Sequence, residues 1–161
     1  MKTLFVLRHA KSSWDHPELS DFERPLNKRG KKAAPLIGAA MSERGYRPDI
    51  IISSPARRAK ETTDLVTAAG EFAAVITFNQ SIYGSGVNTL IHIVSDIPES
   101  AQSAMLVGHN PTFERLVEVL TGQTVRMPTA AVAVIGLDIP NWGETAAGMA
   151  RLLDHLIPKD L

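Results

Sequence analysis

Residues 3–9 read TLFVLRH, a short apolar run followed directly by an arginine and a histidine. Apolar, β-branched and aromatic residues in a run of this length are typical of a buried strand. Two similar runs, DIIIS at 49–53 and SAMLV at 103–107, predict two more buried strands. Polar residues follow each of the three runs. In open α/β sheets, ligands bind at the carboxyl ends of the strands, so these polar residues are candidates for a site.

Amphipathic stretches separate the predicted strands. Helical spacing of apolar residues predicts a helix capped by Asn27 that extends to about Arg44. A second helix is predicted to begin at Pro55, with Ser54 as its cap, and to extend to about Ala69. Further predicted elements are strands at 73–78, 130–137 and 149–157 (a short helix being the alternative for the last) and helices at 88–95 and 111–120. The alternation predicts an α/β fold with three layers, α/β/α, around a mostly parallel central sheet.

The bulk composition narrows the classes of function. At 161 residues the chain suits a single domain, residues 1–161. A formal net charge of zero and a pI of about 7.0 argue against a nucleic-acid partner. The lack of cysteine excludes a disulfide scaffold, a cysteine nucleophile and a thiolate zinc site. No apolar run suits a membrane span or a signal peptide, so we expect a cytoplasmic protein without membrane contact.

Basic fragments stand at the ends of the three buried strands. They are Arg8-His9, then Ser53-Ser54-Pro55 with Arg57 and Arg58 close behind, and Gly108-His109-Asn110-Pro111. Arginine matches the geometry of phosphate oxygens, helix N-termini favour anions, and histidine can act as a nucleophile when neutral. A single histidine after a strand is more often structural, and arginines in a first helical turn are usually solvated. The convergence of three such fragments predicts a site for phosphate or another oxyanion.

Four segments also resemble the histidine phosphatase superfamily, in the order that the superfamily shows. They are LRHAKSSW at 7–14, DFERPLNKRG at 21–30, SSPARRAKETT at 53–63 and VGHNPTFERL at 107–116. Within the superfamily the chain resembles the short SixA-type phosphohistidine phosphatases. The resemblance implies a phosphoglycerate-mutase-like fold and a reaction that needs neither metal nor organic cofactor. It implies catalytic roles for His9, which would carry the phosphoryl group, and for Arg8, Arg58 and His109, with Arg24 and Lys11 in substrate binding.

One position departs from the pattern of many superfamily members. Where they supply an acidic residue that protonates an alcohol leaving group, this chain has Gln80 in FNQSIYG. The other candidate acids are Asp15, Asp21 and Glu23, each expected to be a solvated loop carboxylate. A missing acid favours a labile P–N bond over a phosphate ester. The resemblance and Gln80 together predict a phosphatase for phosphohistidine in a protein.

Two other functions stay open at this stage. A phosphatase for a small phosphate monoester has the same basic residues, and so does a phosphohistidine-binding module with little turnover. Two surface features are also ambiguous. Trp14 is expected to pin its loop rather than to line the pocket. The basic run Lys28, Arg29, Lys31 and Lys32 is expected to be a solvated helix face, with docking of an acidic partner protein as the alternative.

Overall fold

The strand at the N-terminus lies inside a six-stranded sheet. A computed structural model describes residues 1–161. Its strands are β1 (Lys2–Arg8), β2 (Ile50–Ser53), β3 (Val75–Phe78), β4 (Ser103–Gly108), β5 (Val132–Leu137) and β6 (Ala150–Leu156). The strand order is β3-β2-β4-β1-β5-β6, and only β5 runs against the direction of the others. The predictions of a mostly parallel sheet and of a strand near the C-terminus are confirmed.

Four helices cover the two faces of this sheet. They are α1 (Lys28–Glu43), α2 (Arg57–Gly70), α3 (Val87–Ser95) and α4 (Thr112–Thr121). Side chains of β1 alternate between the faces, because successive residues of a strand point in opposite directions. Leu4 and Val6 pack in the core beneath α3 and α4, whereas Phe5 and Leu7 pack beneath α1 and α2. The result is the predicted three-layer α/β/α architecture. None of these helices is long and apolar enough to span a bilayer.

The start of α1 holds the loop that follows β1. Asn27 caps the helix as predicted, since its Oδ1 accepts a hydrogen bond of 2.9 Å from Gly30 N. The Asn27 N–H donates to the carbonyl of Lys11 at 3.0 Å. Gly30 lies so close to Lys11 that an added Cβ would be 2.2 Å from the same carbonyl oxygen. Glycine is therefore needed here for close approach, and α1 fixes the loop by backbone contacts.

The start of α2 differs from the prediction. The helix begins at Arg57 with Ala56 as its N-cap, not at Pro55 with Ser54 as the cap. Ser54, one residue after the end of β2, is still hydrogen-bonded to the sheet, because its N–H donates to the carbonyl of Val107 in β4 at 2.8 Å. The chain therefore turns later than the Ser-Pro pair suggested, and this leaves the Ser54 hydroxyl close to the strand ends.

The direction of β5 brings one more loop to the same edge of the sheet. Val132, the first residue of β5, pairs with Leu7 near the carboxyl end of β1. The chain that leads into β5 must therefore pass over that end. Residues 126–129 lie there, next to Arg8.

Candidate active site

The three basic fragments meet at one edge of the sheet. Arg8 lies opposite Gly108 in the pairing of β1 with β4, and Ser53 lies opposite Val107 in the pairing of β2 with β4. His9 and His109 follow directly, and the centres of their rings are 5.2 Å apart. This edge is where a parallel sheet collects ligands.

A cavity of about 220 Å³ opens between these residues. All six residues expected to act on or bind the substrate line it, together with four neighbours. The complete lining is Arg8, His9, Lys11, Ser12, Trp14, Arg24, Arg58, His109, Asn110 and Thr129. Four of these side chains are cationic and none is a carboxylate. The cavity therefore has the charge and the donor groups to hold an oxyanion.

His9 is held in a defined state within this cavity. The residue is 6% exposed, and Nδ1 lies 2.7 Å from the carbonyl oxygen of Ala10. A carbonyl only accepts, so Nδ1 carries the ring proton and Nε2 keeps its lone pair. Burial, outweighing the bond to Ala10, lowers the pKa of His9 to about 3, and the charges of His109, Arg58 and Arg8 add to this shift. A neutral His9 with an accessible Nε2 is suited to act as a nucleophile.

His109 is oriented by contacts on two sides. Its Nε2 lies 2.8 Å from Ser54 Oγ, and the Tyr83 ring meets the imidazole edge-on at 5.5 Å between centroids. Ser54 Oγ accepts the Ala56 N–H at 3.2 Å, so its own O–H is free to donate to Nε2. When Ser54 donates in this way, the ring proton of His109 is on Nδ1, which has no partner within the protein. Burial and the nearby Arg58 charge lower the pKa of His109 to about 4.

Arg8 is fixed by the loop that precedes β5. Its Nη1 donates to the carbonyl of Met127 at 3.1 Å, and Asn110 Nδ2 donates to the same carbonyl at 2.9 Å. The Arg8 Nε is buried without a partner. The Met127 carbonyl thus holds the Arg8 guanidinium and the Asn110 amide in place. The other N–H groups of Arg8 can donate to a ligand.

Asp21 anchors Arg58, and its side chain is also half exposed, as predicted for a carboxylate of this loop. Arg58 donates to the Asp21 carbonyl at 2.7 Å and to Oδ2 at 3.0 Å, while Tyr83 donates its hydroxyl to Oδ2 at 2.7 Å. Arg24 Nε donates to Oδ1 at 3.1 Å. Partial burial alone would raise the pKa of Asp21, but the bonds from Tyr83 and the arginines lower it to about 2. Asp21 is ionised near neutral pH, so it cannot donate a proton there.

The neighbouring arginine has a different environment. Arg57 forms an ion pair of 3.2 Å with Glu61 on the outside of α2 and does not line the cavity. Glu61 also accepts the N–H of Leu26 at 2.8 Å. Of the two adjacent arginines, only Arg58 lines the pocket.

Arg24 and Trp14 form one wall of the cavity. Arg24 is buried, donates to Ser12 Oγ at 2.8 Å and lies 3.6 Å above the Trp14 ring. Trp14 is 74% exposed and lines the pocket, so the expectation that it only pins its loop is wrong. The stacked guanidinium gives the aromatic ring a fixed position at the mouth. Lys11 is exposed on the same rim.

The candidate acids lie elsewhere. Gln80 is exposed and does not line the cavity, and the same holds for Asp15 and Glu23. Together with the ionised state of Asp21, this leaves the pocket without a carboxylic acid that could protonate a leaving group.

Several of these contacts could not be found from the sequence. Asp21 and Arg24 are three residues apart in DFERPL, and this spacing is the only local signal of their pairing. Tyr83, Met127 and Thr129 reach the site through tertiary structure alone. The Thr62 hydroxyl, which accepts the Ala10 N–H at 2.9 Å, lies one helical turn after Arg58.

Comparisons with known proteins agree on one family. The model of the histidine phosphatase superfamily (branch 1) matches residues 4–79. A SixA protein from Agrobacterium tumefaciens, itself assigned as a phosphohistidine phosphatase by inference, has a structure that is 33% identical, with a TM-score of 0.85 over 98% of both chains. The structure of the protein histidine phosphatase SixA complexed with tungstate shares the fold at 21% identity, with a TM-score of 0.86 over 98% of both chains.

One curated relative is similar to this chain over most of its length. An uncharacterized chloroplastic protein of Arabidopsis thaliana is 32% identical over 155 residues, which is 91% of this chain and 71% of that protein. The motifs at the strand ends, the sheet order and these relatives lead to one conclusion: the chain belongs to the histidine phosphatase superfamily.

Proposed function

We propose that the protein is a phosphohistidine phosphatase that removes phosphate from a phosphohistidine side chain of another protein, through a covalent intermediate on His9. Membership of the superfamily implies phosphatase activity. The observation that carries the finer proposal is the neutral His9, with Nε2 accessible in a cationic pocket that contains no carboxylic acid.

The first step forms one bond and breaks one. The lone pair of His9 Nε2 attacks phosphorus, and the P–N bond of the substrate breaks as its electron pair returns to the leaving imidazole. Arg8, Arg58 and His109 donate to the equatorial oxygens, over which negative charge is spread in the transition state. In the second step water attacks phosphorus, the bond to Nε2 breaks, and inorganic phosphate leaves with a neutral His9.

The pocket's lack of an acid favours phosphohistidine over an alkyl phosphate. An alkoxide is a poor leaving group unless it receives a proton, and the pocket has no carboxylic acid to supply one. In a phosphohistidine, the ring nitrogen that does not carry phosphorus takes up a proton from solvent near neutral pH, because the pKa of an imidazole lies close to that value. The protonated ring then leaves as neutral imidazole, so the pocket does not have to supply a proton.

The covalent intermediate provides the test. The protein is incubated with a phosphohistidine peptide, quenched in alkali, which preserves phosphohistidine, and analysed by mass spectrometry. We expect phosphate on His9, and no turnover in His9→Ala. His92→Ala is the matched control, because His92 is an exposed histidine outside the pocket.

Two results would count against the proposal. Undiminished turnover in His9→Ala would exclude His9 as the nucleophile. Hydrolysis of an alkyl phosphate with a kcat/KM equal to that of the phosphohistidine peptide would remove the argument from the missing acid, and would favour a phosphatase for small phosphate monoesters.

A further inference from the structure

A second and larger cavity adjoins the phosphate pocket. Its volume is about 510 Å³, and it shares Arg8, Lys11, Asn110 and Thr129 with the pocket. Residues from three distant parts of the chain complete it: Arg29 in the first turn of α1, Arg126 before β5, and Lys159 near the C-terminus. We call this cavity the basic groove.

The basic groove has an uncompensated positive charge. Five of its lining residues are lysine or arginine, and Glu114 is the single acid. The Glu114 carboxylate accepts the Met127 N–H at 2.7 Å and offsets only one of the five positive charges. None of the five cations forms an ion pair, whereas Arg24, Arg57 and Arg58 all do. In a chain of zero net charge, this is a local excess.

The positive surface extends beyond the groove along α1. Lys28, Lys31 and Lys32 are exposed next to Arg29 and have no ion-pair partner either. A small phosphorylated metabolite would fill the groove without reaching this helix face. A protein surface would cover both, and an acidic one would match the charge of both.

We propose that the basic groove binds acidic side chains that flank the phosphohistidine on the substrate protein. This inference rests on the proposed function and names the substrate's charge. The shared wall places the acidic groups beside the phosphoryl group in the pocket. Their attraction acts before any bond changes, so it lowers KM and raises the association rate, and salt screens it.

Two peptides of one length test the charge preference. One carries glutamates on both sides of the histidine, and the other carries glutamines. Labelled, unphosphorylated forms report binding by fluorescence anisotropy, and phosphohistidine forms report turnover. At low salt we expect the glutamate peptide to bind about tenfold more tightly and to have a correspondingly lower KM, given modest gains from each of several exposed ion pairs.

Charge-removing variants test the location. In Arg29→Gln/Arg126→Gln/Lys159→Gln we expect the preference for glutamate to be lost, while hydrolysis of phosphoramidate is unchanged. The matched control is Arg47→Gln/Arg115→Gln/Arg151→Gln, which removes three exposed cations that lie outside the groove and form no ion pairs. This control variant should still bind the glutamate peptide more tightly than the glutamine peptide.

The outcomes separate this inference from the proposed function. If the unmodified protein bound both peptides equally, the groove would not be a site for acidic side chains. The same conclusion would follow if both triple variants lost the preference for glutamate to the same extent. Groove-dependent binding of the glutamate peptide without hydrolysis of its phosphohistidine form would support the groove as an acidic-peptide site and overturn the proposed function.

Discussion

The Asp21 carboxylate acts on the pocket through the arginines it holds. It bonds to Arg58, Arg24 and Tyr83, and these contacts keep it ionised. At the scale of single residues, the ends of recognisable strands indicated Arg8, Arg58 and the two histidines, whereas the family resemblance alone indicated Arg24 and Lys11. The sequence did not predict the partner of Arg58, because Asp21 lies in a loop 37 positions away and no periodicity links the two.

Replacing Asp21 by asparagine tests this anchoring role. Asp21→Asn keeps the shape of the side chain but removes the charge that positions Arg58, a donor to the transferred phosphoryl group in our mechanism. We expect kcat/KM for a phosphohistidine peptide to fall by roughly 10- to 100-fold, as for other transition-state donors that lose their orientation. Asp15→Asn, an exposed carboxylate in the same loop, should retain full activity.

The pH profile distinguishes anchoring from acid catalysis. If Asp21 donated a proton, its replacement would abolish an alkaline limb of the kcat/KM profile. Since its pKa is about 2, we expect the alkaline limb of Asp21→Asn to match that of the unmodified protein. Loss of that limb would contradict the assignment.

At the scale of elements, the close approach of α1 to the loop after β1 fixes the backbone at Lys11, two residues after His9. The Asn27 cap and the helix itself followed from the sequence, because capping residues and apolar spacing are local signals. The contact between Gly30 and the Lys11 carbonyl did not follow, since it joins residues 19 positions apart through backbone atoms. The start of α2 was misplaced for a similar reason: the hydrogen bond from Ser54 N–H to the Val107 carbonyl overrides the local Ser-Pro signal.

The variant Gly30→Ala tests this backbone contact. A Cβ at 2.2 Å from a carbonyl oxygen must displace the loop or the helix. We expect a loss of about 1–3 kcal/mol in the free energy of unfolding, typical of overpacking, together with a lower kcat/KM. Urea unfolding and steady-state kinetics measure the two effects.

Gly143→Ala is the matched control for that change. Its added Cβ would meet no atom closer than 4.0 Å, and its backbone is not in the left-handed region. We expect stability and activity close to those of the unmodified protein. If Gly30→Ala behaved like Gly143→Ala, the close approach would not be what positions the loop.

At the scale of the whole molecule, the two neutral histidines link folding to pH. Burial, the largest cause in each, lowers the pKa of His9 to about 3 and that of His109 to about 4, against an ordinary value of 6.5. Below about pH 6.5 the unfolded chain therefore binds more protons than the folded one. The stability that these residues contribute is present above that pH and is lost as the pH falls.

We expect the free energy of unfolding to fall between about pH 7 and about pH 5. The two histidines should contribute up to about 2 kcal/mol each to this fall. Urea unfolding at several pH values measures it, and His9→Asn/His109→Asn should show a shallower slope. An equal slope in the double variant would show that other groups cause the pH dependence.

The direction of β5 limits what the sequence alone reveals about the whole molecule. Alternating strands and helices predict parallel neighbours, and nothing in the apolar run at 130–137 indicates that it enters the sheet from the opposite end. That entry brings Met127 to Arg8 and Arg126 and Thr129 to the cavities. Both cavities therefore contain residues that could not be predicted from the positions of the strand ends.

The central position of β1 has a consequence for synthesis of the protein. Both neighbours of β1 in the sheet, β4 and β5, lie about a hundred residues or more later in the chain. The strand that ends at Arg8 is thus made before the other five strands, yet it has no pairing partner until β4 has left the ribosome. Closing such long loops is slow and leaves the apolar run at 3–7 uncovered meanwhile. Nascent or truncated chains cannot assemble the pocket, so we expect activity to arise only when the whole sheet has closed.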